Sequence, residues 1–294
     1  MALNKYQNGK DKTIDALLYA FLVLASLSII YPFYYVVINS LNADLKYGMV
    51  YLLPGKLTGK NFQIIFNDNS LVNAIGVSAL RMAAGVLLTV ANCSMCAFAL
   101  RNSKLKLRNF YLILFTIPMF FGGGLIPVFL NYRALHLYDT FFVYILPGMF
   151  NFFYIIILMT SFNDIPEALG ESAYLDGANH FVVFLRIYMP VSLPVIATLA
   201  LFSGVWQWNS WFDTMYFTRS KSLVTLASVL LKIINQNSMD QYVSQLFRDW
   251  EKNTANPEGI KLATIVVSIV PVLLIYPFMQ KYFIKGVRIG AVKG

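Results

Sequence analysis

Charge is what this chain has least of. Lysine, arginine, aspartate and glutamate together supply 13% of its 294 residues, against roughly 25% in a soluble domain. With 58% hydrophobic residues, that is too little charge to coat a water-exposed surface of this size, so a soluble globular protein is excluded. The same composition excludes disorder and collagen-like repeats, which need polar or glycine–proline-rich sequence. Only two cysteines are present, Cys93 and Cys96, too few for a disulfide-stapled scaffold. They form a C-x-x-C inside an apolar run, with no polar βαβ context and no further ligands. They are read as small buried residues on a membrane helix rather than a redox or metal pair. The two histidines, His136 and His180, each stand apart from any second ligand, so neither a metal site nor a clustered catalytic set is expected. The first apolar run is too long for the core of a cleavable signal peptide, and no A-x-A site follows it.

What the sequence has in quantity is uninterrupted apolar chain. Residues 16–43, 82–100, 109–132, 140–163, 187–212 and 262–280 carry no charge, and a helix needs about 20 apolar residues to cross a bilayer. The expectation is an all-α membrane protein, a single transmembrane domain over residues 1–294. Its six spans are expected at about 14–40, 71–99, 109–131, 140–162, 190–217 and 260–283. The second span encloses Arg81, whose charge must face protein or a watery cavity, or snorkel. That makes Arg81 a candidate for a transport pathway and also for a packed structural contact. Gly122-Gly123-Gly124 and then Pro127 loosen the third span, whose backbone then needs neighbouring protein. Residues 42–70 hold a turn-rich stretch at Leu53–Lys56. Residues 218–259 hold the apolar run Leu223–Ile234, too short to span and read as a helix or re-entrant segment.

The net charge of +9 comes from 23 basic and 14 acidic residues. The basic residues lie between the apolar runs without a stripe of interleaved aromatics, so they are read as topology rather than nucleic-acid binding. Arg101, Lys104, Lys106 and Arg108 crowd one very short loop, and Lys5–Lys12 flank the first span, which puts both termini in the cytoplasm. Carboxylates are missing from all six charge-free stretches, with Asp213 just past the fifth. That weighs against the alternative reading, an ion-coupled secondary transporter or channel.

The loop at residues 163–190 differs from the other connections. Asp164-Ile165-Pro166-Glu167 combines a capping Asp, a first-turn Pro and a Glu three residues after the Asp, so a helix is expected to start there. It should run to about Asp176 and stop at Gly177. At 100° per residue, Ile165, Ala168, Leu169 and Ser172 share one face, and Glu167, Glu171 and Tyr174 the other. A second short helix should follow Asn179 and end at Pro190 and Pro194. A capped hairpin carrying carboxylates suits a soluble partner better than lipid, since membrane-surface helices favour Lys and Arg. Near the end of the fifth span, Trp206-Gln207-Trp208-Asn209-Ser210-Trp211-Phe212-Asp213 offers aromatic faces for sugar rings and polar groups for hydroxyls. An interfacial aromatic belt explains the same cluster. Asn209 and Asp213 are the better pathway candidates, with Trp208 and Arg81 beside them. The stretch Gly55-Lys56-Leu57-Thr58-Gly59-Lys60-Asn61 is not a phosphate-binding loop: its glycines are one residue too close and no Ser or Thr follows the Lys.

Glu171-Ser172-Ala173-Tyr174-Leu175-Asp176-Gly177-Ala178, with Phe184, Ile187, Pro190 and Pro194 after it, resembles the EAA motif of ABC importer permeases. It departs at Ser172, where Ala is usual and a small residue is kept. The lead-in Ile165-Pro166-Glu167-Ala168-Leu169 is similar too. Gln280–Gly286 with Gly290–Gly294 is similar to the closing segment of the MalG-type carbohydrate permeases. Within that group the chain looks closest to the LplC-type permeases, which are associated with oligo- and polysaccharides, the alginate importer among them. The resemblance implies the type I importer fold, six spans with a cytoplasmic coupling helix. It also implies a non-catalytic permease subunit that binds no cofactor, with ATP and Mg on the partner ATPases. Its implied partners are a second permease subunit, two ATPase subunits, an extracytoplasmic solute-binding protein and a saccharide, in a bacterial cytoplasmic membrane. Glu167, Glu171, Ser172, Ala173, Asp176, Gly177 and Ala178 would couple to the ATPase. Glu171 would pair with a basic ATPase residue, Gly177 would make the turn, and Asp176 would brace it.

Overall fold

The computed structural model of the chain describes residues 9–45, 51–235 and 257–291. Lys5 and Val292–Gly294 of the closing motif lie outside them, as does much of the second outer loop. Among the described residues there is no strand, only an isolated antiparallel bridge between Asn42 and Leu57. The longer helices are α1 (Gly9–Ser40), α2 (Lys60–Asn67), α3 (Asn69–Arg101), α4 (Arg108–Phe120) and α5 (Leu125–Ala134). After them come α6 (Phe142–Ile145), α7 (Phe152–Asn163), α8 (Glu167–Leu175) and α9 (His180–Val191, with a π turn at Phe184–Tyr188). The last four are α10 (Leu193–Asn209), α11 (Phe212–Phe217), α12 (Leu226–Asn235) and α13 (Pro257–Ala291). The chain divides into two units, residues 1–68 with 238–267, and residues 69–237 with 268–294.

In the first unit, α1 is apolar on every side, and its side chains from Leu17 to Val37 are largely exposed, as suits a helix solvated by lipid or another membrane helix. Beyond Ser40 the chain folds back. Thr58 N–H donates to Leu41 O (2.8 Å) and Ala43 N–H to Lys56 O (2.9 Å), closing the Leu53–Lys56 turn. Asn61 Nδ2 donates to Ser40 O (2.8 Å), one of the carbonyls that a helix end leaves open. Asn61 lies against Gly259, where a Cβ would come within 2.6 Å of that amide nitrogen.

The second unit is built on α3. Its buried positions are Leu71, Ala74, Ser78, Arg81, Gly85, Thr89, Cys93, Ala97 and Leu100, every third or fourth residue along the whole helix, with Ser94 beside them. Most are small or polar, the residue types that let helix backbones approach where lipid removes the hydrophobic drive. Helices α7 and α10 pack on this stripe through Ile155, Leu158 and Phe162, and through Ile196 and Leu199. Near the other end of α3, Ser78 Oγ accepts from Leu226 N–H (2.9 Å), satisfying an open donor at the start of α12. That helix forms within the apolar run at Leu223–Ile234 and buries Leu226, Val229 and Ile233 on one face.

Three helical segments, Thr13–Ser40, Asn69–Arg101 and Glu258–Pro277, are each long and apolar enough to cross a membrane, and three bent pairs reach the same measure if each counts as one span. The stretches expected as the third, fourth and fifth spans are not continuous helices. Helices α4 and α5 meet at 120° across Gly122–Gly124, with Gly124 at φ +80°, a conformation that costs glycine little. Pro127 falls in the first turn of α5, where its missing N–H is unneeded. Residues 140–162 form the short α6, a break at Pro147-Gly148, and then α7, whose first turn Asn151 caps by accepting from Tyr154 N–H (3.3 Å). At 12 residues, α7 is about 18 Å long, too short alone for a hydrocarbon core of about 30 Å. The fifth stretch bends by 82° between α9 and α10 and loses helical form again at Ser210-Trp211.

Two glycines of α3 separate packing from propensity. A Cβ on Gly85 would overlap the Gln207 side chain, whereas one on Gly76 would meet nothing within 4 Å. Gly85→Ala is expected to lower stability by about 1–3 kcal/mol through overpacking. Gly76→Ala is expected to be neutral or to add up to about 1 kcal/mol. Thermal unfolding of both variants in detergent checks the pair, and equal effects would refute the packing account.

Candidate functional site

Two clusters of side chains lie toward opposite ends of α3. The first is the hairpin of α8 and α9. Helix α8 starts at Glu167 with Pro166 as its N-cap and no side-chain cap bond. The helix thus starts three residues after Asp164, which closes α7, its N–H donating to Thr160 O (3.2 Å). The C-terminus follows the sequence reading. Ala178 N–H donates to Ala173 O (2.9 Å) and Gly177 N–H to Tyr174 O (3.0 Å), with Gly177 at φ +82°. This is the Schellman pairing, which requires a left-handed residue at that position. Asn179 Oδ1 then accepts from Val182 N–H (2.9 Å) and caps α9. Tyr174 Oη and His180 Nδ1 lie 2.7 Å apart and tie the two helices across the turn.

The buried side of α8 is narrow. Gly170 is buried and Ala173 half-buried, whereas Ala168, Leu169 and Ser172 are exposed. Tyr188 on α9 covers that side, its hydroxyl lying 3.4 Å from where a Cβ at Gly170 would sit, an ordinary contact distance. Ala173 and Ala178 pack on the α3–α7 core. Ser172 Oγ donates back to Ala168 O (2.8 Å) within its own helix. What remains outward is a mixed surface of Glu167, Leu169, Glu171 and Leu175, with Leu175 89% exposed. The Arg101 guanidinium stands 4.3 Å from the Tyr188 ring centroid, joining the end of α3 to the hairpin.

The second cluster centres on Arg81, which is fully buried. Its Nε donates to Gln207 Oε1 (2.7 Å) and one terminal nitrogen to Ser210 O (3.2 Å). The other terminal nitrogen makes an ion pair with Asp213 Oδ2. Its guanidinium also lies 4.6 Å from the Tyr144 ring centroid. The Ser210 carbonyl is available because the helix breaks there. Tyr144 was missed in the sequence, and Trp206 and Gln207, named there only within the stretch Trp206–Asp213, were not tied to Arg81, because nothing in apolar context marks which neighbour of a buried charge will meet it.

Of the four pathway candidates, the fold brings Arg81 and Asp213 together and separates the other two. Trp208 is buried, its Nε1 donating to Ser268 O (2.8 Å). Asn209 is exposed, its amide donating to Val205 O (2.9 Å), and it borders an open hollow of about 670 Å³ with Trp206 and Trp211. A second cavity, about 370 Å³, lies beside the ion pair, with Asp213, Trp206, Tyr132, Asn151 and Tyr154 in its wall. Cys93 and Cys96 are both free thiols on α3, and no group of three His, Cys, Asp or Glu suited to a metal occurs among the described residues.

Asp139, in the loop before α6, accepts from the N–H groups of Arg219 and Ser220 (both 2.8 Å) and from the Ser220 hydroxyl (2.7 Å). These backbone donors hold its carboxyl below the usual carboxylate range. A lowered folded-state pKa gives stability that is complete above about pH 4, the ordinary Asp value, and is lost as pH falls through the lowered one. Hydrogen exchange at the Arg219 and Ser220 amides is expected to speed up in Asp139→Ala at neutral pH, and unchanged protection refutes the lock. The ion pair gives an asymmetric prediction. Asp213→Ala strands a buried guanidinium and should cost about 3–5 kcal/mol. Arg81→Met leaves a carboxylate whose side chain is already 19% exposed, and should cost less. Unfolding of both variants and their combination decides, and a larger cost for Arg81→Met contradicts the assignment.

Residues 94–289 match the family described as binding-protein-dependent transport system inner membrane component. The chain is 33% identical over 289 residues, 97% of its own length and all of the relative's, to the polygalacturonan/rhamnogalacturonan transport system permease protein YtcP of Bacillus subtilis. It is 35% identical to Protein LplC of the same organism over 90% of each chain. A crystal structure of a bacterial ABC transporter involved in the import of the acidic polysaccharide alginate contains a chain that superposes with a TM-score of 0.86. That match has 28% identity and covers 95% of this chain and all of that one. The chain therefore belongs to the inner membrane components of binding-protein-dependent transport systems.

Proposed function

We propose that the chain is a permease subunit of an ATP-driven importer that moves an oligo- or polysaccharide into the cytoplasm. It works with a second permease subunit, two ATPase subunits and an extracytoplasmic solute-binding protein, in a bacterial cytoplasmic membrane with both termini inside. ATP and Mg belong to the ATPase partners. The transport of polygalacturonan or rhamnogalacturonan named for one relative, and of alginate for the other, supports a saccharide as the cargo class.

The observation that carries the energy coupling is the outward surface of α8. Leu169 and Leu175 are exposed beside Glu167 and Glu171 on a short helix whose end is fixed by backbone bonds at Gly177. Exposed leucines beside carboxylates suit a cleft that is apolar inside and basic at its rim, as an ATPase surface would present. Glu171 pairs there with a basic residue, Ser172 is small enough to enter, and Asp176 with Gly177 holds the turn. Ala173 and Ala178 keep the hairpin seated on its own core. Asp213 lines the pathway at the smaller cavity with Arg81 buried behind it, Asn209 borders the wider hollow, and Trp208 is a buried support bonded to Ser268 O.

Glu171→Lys and Gly177→Val are expected to cut ATP-driven uptake at least about tenfold, with the permease still inserted and the ATPase still able to hydrolyse ATP. The assay is uptake and ATP hydrolysis measured side by side in proteoliposomes. Full substrate-stimulated uptake in both variants sinks the coupling role. Purification as a stable complex without a nucleotide-binding protein favours the ion-coupled alternative.

A further inference from the structure

The Arg81 cluster is tied to the second outer loop by a chain of buried hydroxyls that neither the hairpin nor the family membership accounts for. Tyr144, Thr214 and Thr225 are all buried. Tyr144 Oη donates to Leu223 O, in preference to Thr218 Oγ1 at 3.4 Å, and accepts from Thr214 Oγ1 (3.2 Å). With its one hydrogen spent there, Thr214 Oγ1 accepts from Thr225 Oγ1 (2.9 Å). The chain therefore starts at Thr225 and ends at Leu223, two residues away, so a shift of that loop strains it at both ends. Phenylalanine and valine of the same shape would fill this space at little cost, because replacing both partners of a buried hydrogen bond by apolar groups is close to neutral. The hydroxyls thus specify where the loop sits more than they stabilise it.

The other contacts of these residues lead to the ion pair. The Tyr144 ring centroid lies 4.6 Å from the Arg81 guanidinium. Tyr144 O accepts from Gln207 Nε2 (3.4 Å), and Gln207 Oε1 in turn accepts from Arg81. Thr214 directly follows Asp213 on α11. Ser78, which accepts from Leu226 N–H at the start of α12, stands one turn before Arg81 on α3. On the outer side, Asp139 holds the Arg219 and Ser220 amides of the same loop, and the side chains of Arg219, Lys221 and Ser222 are exposed. Helix α11 joins α10 through the non-helical Ser210 and Trp211, the kind of joint that absorbs a small rotation.

We propose that Tyr144 is a positioning residue that carries engagement of the outer loop at 218–225 to the Arg81–Asp213 pair. A protein seated on the exposed loop displaces Leu223 and Thr225. That displacement pulls on Thr214 and on the ring beside Arg81, and α11 turns with Asp213. The protein is the solute-binding protein of the importer reading, on which this proposal rests. What it adds is the residue through which docking outside reaches the pathway.

The test follows ATP hydrolysis by the assembled transporter in nanodiscs as its binding protein is titrated in, loaded from a panel of neutral and acidic oligosaccharides (galactotriose and trigalacturonate among them). Each variant is compared with its own rate without binding protein, so that a loss of assembled complex cancels. Thr214→Val is expected to lower the maximal stimulation at least about threefold, with the half-stimulating concentration of binding protein within about twofold of wild type. Tyr144→Phe, which keeps the ring beside Arg81, is expected to do the same. Thr214→Ser, which keeps the hydroxyl, is expected to retain wild-type stimulation. If Thr214→Val fails to assemble, Thr225→Val at the far end of the chain carries the same expectation. A merely structural role would lower thermal stability and leave the stimulation ratio intact. Wild-type stimulation in both Tyr144→Phe and the valine variant, a half-stimulating concentration that rises in step with the loss, or a Thr214→Ser as impaired as Thr214→Val overturns the proposal. A wild-type complex that no loaded binding protein stimulates removes the importer reading, and this role of Tyr144 with it.

Discussion

A guanidinium on an apolar helix among apolar helices must have its donors matched, since an unmatched buried charge costs far more than any single packing contact returns. Arg81 meets that constraint, and several irregular features around it follow. Gln207 reaches it only because Gly85 has no side chain. The Ser210 carbonyl reaches it because α10 stops at Asn209, freeing a group that a continuing helix would have used. Asp213 reaches it because the chain resumes as α11 after two non-helical residues, which turns the carboxylate back toward α3. The break and the charge satisfy each other. Either alone would leave polar groups without partners in a region that excludes water, which is where irregular backbone is tolerated only against protein or a cavity.

The parts of this arrangement that the sequence made legible are those with local causes. Apolar length marked the membrane class, and the turn at Gly177 was readable because a left-handed residue after a helix is nearly always glycine. The lone charge of Arg81 inside an apolar run was visible, and so was Asp213 at the edge of another. Their pairing was not, because 131 residues and several bends stand between them. Helix faces were the weakest inference. In lipid both faces of a helix are apolar, so hydrophobic periodicity no longer reports burial. On α3 the signal lay in small and polar residues at a three-to-four spacing, Ser78, Gly85, Thr89, Cys93 and Ala97. The same blindness applies to α8, whose packed side carries the glycine at position 170 while the leucine at 169 is exposed. The loosening at Gly122–Gly124 was visible in the sequence, whereas the interruptions at Pro147-Gly148 and Ser210-Trp211 were not. Charge counting registers only what lipid rejects and says nothing about where a backbone bends.

The same helix that carries Arg81 ends on Arg101, whose guanidinium lies over Tyr188 of the hairpin. Twenty residues at 1.5 Å each separate the two arginines by about 30 Å along an uninterrupted α-helix. Each end is fixed by cation–aromatic contact and, at Arg81, by an ion pair. The hairpin itself has little slack: its turn uses the amides of Asp176, Gly177 and Ala178 in backbone bonds, and Asn179 caps the helix that follows. Backbone bonds and the Asn179 cap thus run continuously from α8 into the helix that carries Tyr188. Of the bent pairs, α4 with α5 lies off that line, whereas the π turn at Phe184–Tyr188 and the α9–α10 bend lie at Tyr188 itself or just beyond it. The unbroken helix that carries Arg81 at the buried pair and Arg101 at the hairpin is the element the two clusters share.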